Sequence, residues 1–462
     1  VADQLESGPV EASGSSAPPR LLAPVVLLAV FVIPMGISGT AIALPQIATD
    51  LGNSPTLLQW VVNGFNVAFA VFGLVWGVAS DRIGYRRTFR TGVVLVLGSV
   101  IVTALAPGLL VLDLARFLAG VGSAAVLTGA TAMLSNAYTG AARGRVFAVF
   151  GTVIGLGLAL GPTISGALIS LISWRGVFVA HGVVLLIALA GSVLLPHVAH
   201  HSNPGRRFVD FSLLRNPAFL ALCLVPVAGA IGFVTLLTYL PVALSGISSL
   251  SAGAAGLVML PMTIPVLVGP VLASFLIARS SSISSMAIIY TALLSLVLGT
   301  SGMLLLAPDV ALGWVVVPMV LVGFGFGLPL GLVDSEALAT VPPHSTGTAA
   351  GVLNFIRIGS EALFVGLYAV ALSWLIGRSI PDHELALATA AGTPGQAQAY
   401  AAAFHWVVGG LVVLVTITAL VVGLLHRARV VAERGQVLIE AETVCAAACL
   451  PMAVTAEESG VR

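Results

Sequence analysis

GVASDRIGYRRTFRTG (77–92) breaks into an otherwise apolar chain with one acid, Asp81, and four arginines, Arg82, Arg86, Arg87 and Arg90. Apolar runs flank it on both sides. The pattern is that of two helices joined by a tight charged turn at a membrane surface. Gly77 permits close approach of another backbone and Gly84 a tight turn, and Asp81 falls at a helix end. Working outward, charged residues make up 8% of the chain and hydrophobic residues 58%, with a mean hydropathy of +1.10. Soluble domains carry about 25% charged residues, so this composition excludes a water-exposed surface and specifies a polytopic membrane protein.

A spanning helix needs ~20 mainly apolar residues. Twelve segments qualify: 22–46, 57–80, 89–106, 109–134, 146–171, 176–195, 218–244, 252–277, 285–307, 311–338, 347–375 and 402–425. All 19 basic residues apart from histidine are arginine. Arg175 and Arg378 fall in loops of one side, Arg116 and Arg357 inside spans, and the rest gather on the other side. Positive charge marks the cytoplasmic face, so both termini are expected in the cytoplasm. The longest charged connection, HVAHHSNPGRRFVDFSLLRNPAF, separates six spans from six, and its RRFVDFSLL segment could lie on the inner leaflet as an amphipathic helix. Six plus six is the pattern of a duplicated transporter. The expected architecture is all-α, with twelve transmembrane helices in two pseudo-symmetric six-helix bundles. These are residues 21–196 and 218–427, with a cytoplasmic linker at 197–217. Polar tails at 1–20 and 428–462 flank them, the first of disordered composition and without the basic region of a signal peptide. TGAARGRVFAVFG after span four and STGTAAGVLNFIR after span ten are related, a trace of the repeat.

The 77–92 stretch resembles the signature loop of the major facilitator superfamily, G-x-x-x-D-R-x-G-R-[KR], at Gly77, Asp81, Arg82, Gly84, Arg86 and Arg87, with Tyr85 as an extra spacer. The resemblance implies that Asp81 and Arg86 pair with a neighbouring helix end and latch the outward-open state. Its rival reading is a plain positive-inside anchor. LDLARFLAGVGSAAV in span four looks like the family's R-F-x-x-G-x-G-x-A, with Arg116, Phe117, Gly120, Gly122 and Ala124. By that resemblance Arg116 is tied to proton transfer; locally it could pair with Asp113, three residues earlier. GTVIGLGLALGPTISGAL in span five resembles the antiporter motif G-x-x-x-G-P-x-x-G-G at Gly157, Gly161, Pro162 and Gly166, with Ser165 in place of one glycine. Tight helix packing would explain the same glycines, and a glycine-lined helix could let the halves slide. ALPQIATDL, LLQWVVNGF, SWRGVF and VPPHSTGTAAGVLNFIR point to the same drug/proton antiporter branch. One departure stands out. Where many such antiporters carry an acid in span one, IPMGISGTAIALP has Gly36.

Acids inside an apolar chain are functional candidates. In GLVDSEALATV, Asp334 and Glu336 fall ~13 and ~16 Å from the centre of span ten, near the inner boundary. Positions two apart point to opposite sides, so they form no shared carboxylate site; Asp334 should face protein or cavity and Glu336 the interface. In NFIRIGSEALFVG of span eleven, Glu361 is near mid-span with Arg357 one turn earlier. These two either neutralise each other or form the proton-coupling site, with Asp334, Arg116 and Asp113 as further candidates. A proton carrier needs surroundings that favour its charged form in one state and its neutral form in the other. Asn63, Asn66, Thr128 and Asn354 are candidate cavity residues for substrate hydrogen bonds. His181 and His405, near helix ends, read as satisfied interface residues, and Cys223, Cys445 and Cys449 form no ligand or disulfide framework.

The expected function is proton-coupled efflux of a small, mainly apolar molecule by alternating access, from a monomer in a bacterial inner membrane. A proton-linked uptake symporter and a non-transporting sensor or lipid-handling protein are the alternatives. No cofactor is expected beyond the proton gradient, no nucleic-acid partner, and no enzyme activity, since no nucleophile–base spacing, metal cluster or phosphate loop occurs.

Overall fold

The computed structural model describes residues 21–52, 54–194, 211–250, 252–280 and 282–449. The tails 1–20 and 450–462, the linker stretch 195–210 with Arg206 and Arg207, and the side chains of Pro162, Cys445 and Cys449 lie outside the described residues. Every regular element among the described residues is helical. Twelve helical stretches are long and apolar enough to cross a membrane.

The first six are single helices: α1 (Leu22–Leu51), α2 (Pro55–Ile83), α3 (Tyr85–Ala104), α4 (Leu109–Ala137), α5 (Gly140–Leu171) and α6 (Trp174–Ser192). They pack through glycine. A Cβ on Gly92 of α3 would stand 2.6 Å from the Val126 nitrogen of α4, and one on Gly129 of α4 would stand 2.7 Å from the Phe89 nitrogen of α3. In lipid, where apolar burial gives no drive for helices to associate, such close backbone contact is the main attraction.

The second six are less regular. Span seven joins α7 (Pro217–Gly229) to α8 (Thr235–Ser248) through a π-helical turn, Ala230–Val234. Span eight is α9 (Ala252–Val258) followed by α10 (Leu260–Arg279). Span nine is α11 (Ser285–Gly302), and span ten breaks between α12 (Gly313–Gly327) and α13 (Leu332–Ala339). Pro226 and Pro329 lack the amide hydrogen a helix needs, and Gly331 takes φ +80°, open to glycine. Span eleven is the unbroken α14 (Thr346–Ser379), and a short helix α15 (His383–Ala390) precedes span twelve, α16 (Ala397–Cys449).

The expected segments each coincide with one of these spans, with three differences. The 77–92 turn shrinks to Gly84, at φ +95°, so Arg86 and Arg87 occupy the first turn of α3. In the linker, Phe211–Arg215 forms a 3-10 turn. The tail expected from 428 instead continues α16 as far as Cys449; its Ala, Glu and Leu favour helix, and no proline stops it.

Twelve crossings return the chain to its starting side, called here the terminal side. The halves meet where α2 and α4 pack on α14, and where α5 packs on α10 and α13.

Candidate functional site

The latch residues come together on the terminal side. Asp81, in the last turn of α2, accepts hydrogen bonds from the Gly347 and Thr348 backbone N–H groups, both 2.8 Å, and from Thr348 Oγ1 at 2.6 Å. These donors belong to the first turn of α14, where unsatisfied N–H groups and the helix dipole favour an anion. The Tyr85 hydroxyl completes the clasp, 3.3 Å from Asp81 and donating to the Pro343 carbonyl at 3.0 Å. Gly77 lets the helices touch: a Cβ there would lie 3.0 Å from the Gly351 Cα. Arg86 does a different job inside its own half, donating from Nη2 to the Val193 carbonyl at the end of α6, 2.9 Å away. Arg82 and Arg87 are exposed.

The glycines of span five divide by partner. Gly157 and Gly161 face α1, where added Cβ atoms would stand 2.9 Å from the Phe31 carbonyl and 3.0 Å from the Met35 carbonyl. A Cβ on Gly166 would meet nothing within 4 Å. The contacts across the halves come from Gly151 and Gly155 instead, against Gly331 and Val266. The expected sliding surface is therefore one to two turns nearer the terminal side than the motif itself.

The buried charges pair differently from the simplest expectation. Arg357 does not turn to Glu361, its neighbour one turn along. It donates from Nη2 to Asp334 Oδ2 at 2.7 Å, and Asp334 is 1% exposed. The break at Pro329–Gly331 restarts the helix at Leu332 and sets Asp334 in its first turn, so the straight-helix depth does not apply. Glu336 faces another helix, accepting from Ser285 Oγ at 2.7 Å. Glu361 is half-buried, within electrostatic reach of Arg357, and makes no hydrogen bond among the described residues. In the other half, Arg116 and Asp113 form no pair. The Arg116 Nε donates to the Val61 carbonyl of α2 at 3.1 Å; both Asp113 oxygens are buried without a partner.

Of the proposed cavity residues, Asn354 and Thr128 are buried, and neither side chain has a hydrogen-bond partner. A Cβ added to Gly73 would lie 3.9 Å from the Asn354 Cβ, which puts Asn354 at the α2–α14 seam. Asn66 is half-buried and Asn63 exposed. His405 bonds the Leu306 carbonyl at 2.9 Å, whereas His181 is buried with Nε2 unpartnered.

Two features escaped sequence reasoning. First, a cavity of about 30 Å³ opens where span seven turns π-helical and span ten breaks, lined by Pro226, Gly229, Phe326, Pro329 and Arg357. Phe326 stacks on Phe233 beside it at 4.3 Å. A broken helix in a transporter core is a recurrent way to build a binding site; prolines in both spans were the available signal. Second, ALPQIATDL and SWRGVF interlock: Asp50 accepts from Trp174 Nε1 at 2.8 Å and pairs with Arg175 at 3.1 Å, and Gln46 Oε1 accepts from the Trp174 backbone N–H.

Along α14 these functions share one face. Gly347, Gly351, Asn354, Arg357 and Glu361 fall within about 120° of arc, and Glu361 lies ~21 Å beyond Gly347. Among the described residues no group of three or more His, Cys, Asp or Glu could hold a metal ion.

The family model for the Major Facilitator Superfamily matches residues 26–363. A puromycin resistance protein of Streptomyces alboniger is 28% identical over 470 residues, covering 87% of this chain and 92% of its own. A probable actinorhodin transporter of Streptomyces coelicolor is 29% identical over 387 residues, covering 68% and 66%. Among solved structures, the proton:xylose symporter XylE superposes with a TM-score of 0.66 at 14% identity, over 86% of this chain and 94% of that one, a likeness of fold.

Proposed function

Because the chain belongs to the Major Facilitator Superfamily, a family of transporters and not in general of enzymes, we propose that it exports a small, mainly apolar drug or natural product, driven by inward proton movement. The observation that carries the coupling is Glu361, a carboxylate near the middle of α14 with no hydrogen-bond partner among the described residues. It lies on the helix face that also holds the Arg357–Asp334 pair. Protonation removes a negative charge from beside Arg357, and that change reaches Asp81 through the same continuous helix.

In this reading the terminal side is cytoplasmic, in keeping with the arginine distribution, and the Asp81–α14 clasp holds it shut. The transporter then faces outward, where a proton reaches Glu361. Release of the clasp opens the cytoplasmic side, cargo displaces the proton, and the cycle returns. The apolar cavity beside Arg357, water-sized in this state, would widen to receive the cargo as the halves part; Asn354 and Thr128, which do not line it, would then become available for hydrogen bonds. The names of the two Streptomyces relatives support export of antibiotic-like molecules.

The test is a resistance panel, beginning with puromycin, in an efflux-deficient bacterial host. Wild type is compared with Glu361→Gln and Glu361→Asp, and accumulation is measured with and without an uncoupler. Export that the uncoupler stops, that Glu361→Gln loses at normal membrane levels, and that Glu361→Asp partly keeps is the expected result. Glu361→Gln exporting as well as wild type would end the coupling role of Glu361.

A further inference from the structure

The first half holds a separate polar enclosure, away from α14. Arg116 of α4 is 4% exposed and His181 of α6 is 2% exposed, and both line one cavity of about 20 Å³. Its remaining wall is apolar apart from the hydroxyl residues Thr103 and Ser123. No lining residue is acidic, so Arg116 and His181 are the titratable groups that α1, α2, α3, α4 and α6 present to it.

Arg116 is a cation without a counter-charge. Its hydrogen bond goes to a neutral carbonyl, that of Val61. Phe65 lies beneath it, with the ring centre 4.5 Å from Cζ, and Phe178 is at 5.8 Å. Asp113, one turn earlier, forms no ion pair with it, and the buried Asp113 oxygens have no hydrogen-bond partner. Cation–π contact offsets part of the cost of burying a guanidinium, but a buried ion needs an opposite charge to offset the rest. His181 adds buried, unused hydrogen-bonding capacity in the same wall: Nε2 has no partner.

Gly36 leaves the room. A Cβ added there would sit 3.7 Å from His181 Cε1 and 3.9 Å from Nδ1, ordinary contact distances. A side chain at position 36 would therefore enter the enclosure beside the imidazole; glycine leaves the space free. A cavity of this size holds one water-sized guest. We propose that the enclosure is a binding site for a small monovalent anion, chloride in the cell, held between the Arg116 guanidinium and an imidazole N–H of His181 in the space left by Gly36. The anion supplies the charge that no lining side chain supplies, so the folded first half is stabilised by mass action as the anion binds. The proposal stands apart from the transport reading.

The test uses the full-length purified protein in detergent, exchanged into sodium gluconate and titrated with chloride or bromide at constant ionic strength, with thermal unfolding followed by tryptophan fluorescence. The expected result is a saturable rise of several degrees with chloride and bromide, and none with sulfate. Arg116→Gln should lose the rise. Since that variant could fail to fold, Gly36→Asp is the second arm. It places a tethered carboxylate beside His181, and should melt in gluconate at least as high as wild type while no longer responding to chloride. An anion response equal in Gly36→Asp and wild type, or no anion-specific response in wild type, overturns the proposal. So does a bromide anomalous peak in crystals that lies anywhere but between Arg116 and His181.

Discussion

Each half of the molecule buries one arginine in a span, and the two are handled in opposite ways. Arg357 finds an acid on another helix, Asp334, across the break in span ten. Arg116 sits over Phe65 and bonds a neutral carbonyl, with no acid in its wall. The surroundings differ in kind as well. The first half consists of unbroken helices drawn together by glycine, whereas in the second spans eight and ten are interrupted and span seven carries a π-helical turn, spans seven and ten beside a cavity. In the unbroken bundle the buried charge is left to a ring face, a carbonyl and, on the proposal above, a bound anion. A broken one sets side chains on new axes, and an ion pair between α13 and α14 ties the pieces together.

The largest contrast should come from removing an acid in each half. Asp334→Asn leaves Arg357 buried and unpaired, a loss of about 3–5 kcal/mol. Asp113→Asn, which takes nothing from Arg116, should leave the melting temperature close to wild type. Equal losses in the two variants would erase the contrast. Next comes the junction between halves. Asp81→Asn removes the charge from the start of α14, weakening the clasp by about 1–2 kcal/mol. That is roughly a tenfold shift toward the state open on the terminal side, readable as increased labelling of a cysteine placed at Ala350, buried in the same stretch of α14 but outside the clasp. Unchanged labelling would show that the helices, not the carboxylate, keep that side closed. Smaller still is a contrast within span five. Gly161→Ala must displace the Ser38 hydroxyl of α1 and crowd the Met35 backbone, and should lower the melting temperature, whereas Gly166→Ala meets open space and should gain up to about 1 kcal/mol from helix propensity. A loss at Gly166 would mean that the motif glycine has a partner in another state. The smallest is Arg175→Ala: its exposed pair with Asp50 is worth at most about 1 kcal/mol.

The same contrast explains what could be read from residues alone. The twelve spans were legible because apolar runs of bilayer length are bounded by arginine-rich turns. Asp81 was legible because an acid in fixed register with Gly77 and Gly84 is conspicuous in so apolar a chain. The partner of Arg357 was not. Sequence offers the neighbour one turn away, Glu361, while Asp334 lies 23 residues off on another helix. The π-helical turn of span seven and the breaks of spans eight and ten were hidden because single residues such as Pro226, Pro329 and Gly331 barely disturb an averaged hydropathy. His181 read as an ordinary interface histidine; its want of a partner depends on what α1, α3 and α4 bring to it, and only packing reveals that.

One consequence concerns mechanics. α14 runs 34 residues, ~51 Å, without proline. Such a rod moves as one piece, so a tilt that frees the clasp at Gly347 is felt at Glu361. A tilt of about 15°, the size of the haemoglobin dimer rotation, would move points ~21 Å apart along the rod, such as Gly347 and Glu361, by ~5 Å relative to one another. A displacement of that size exceeds the reach of any hydrogen bond. On the proposed coupling, one stroke would carry the carboxylate out of one set of neighbours and into another, with no local unfolding of the helix that carries it.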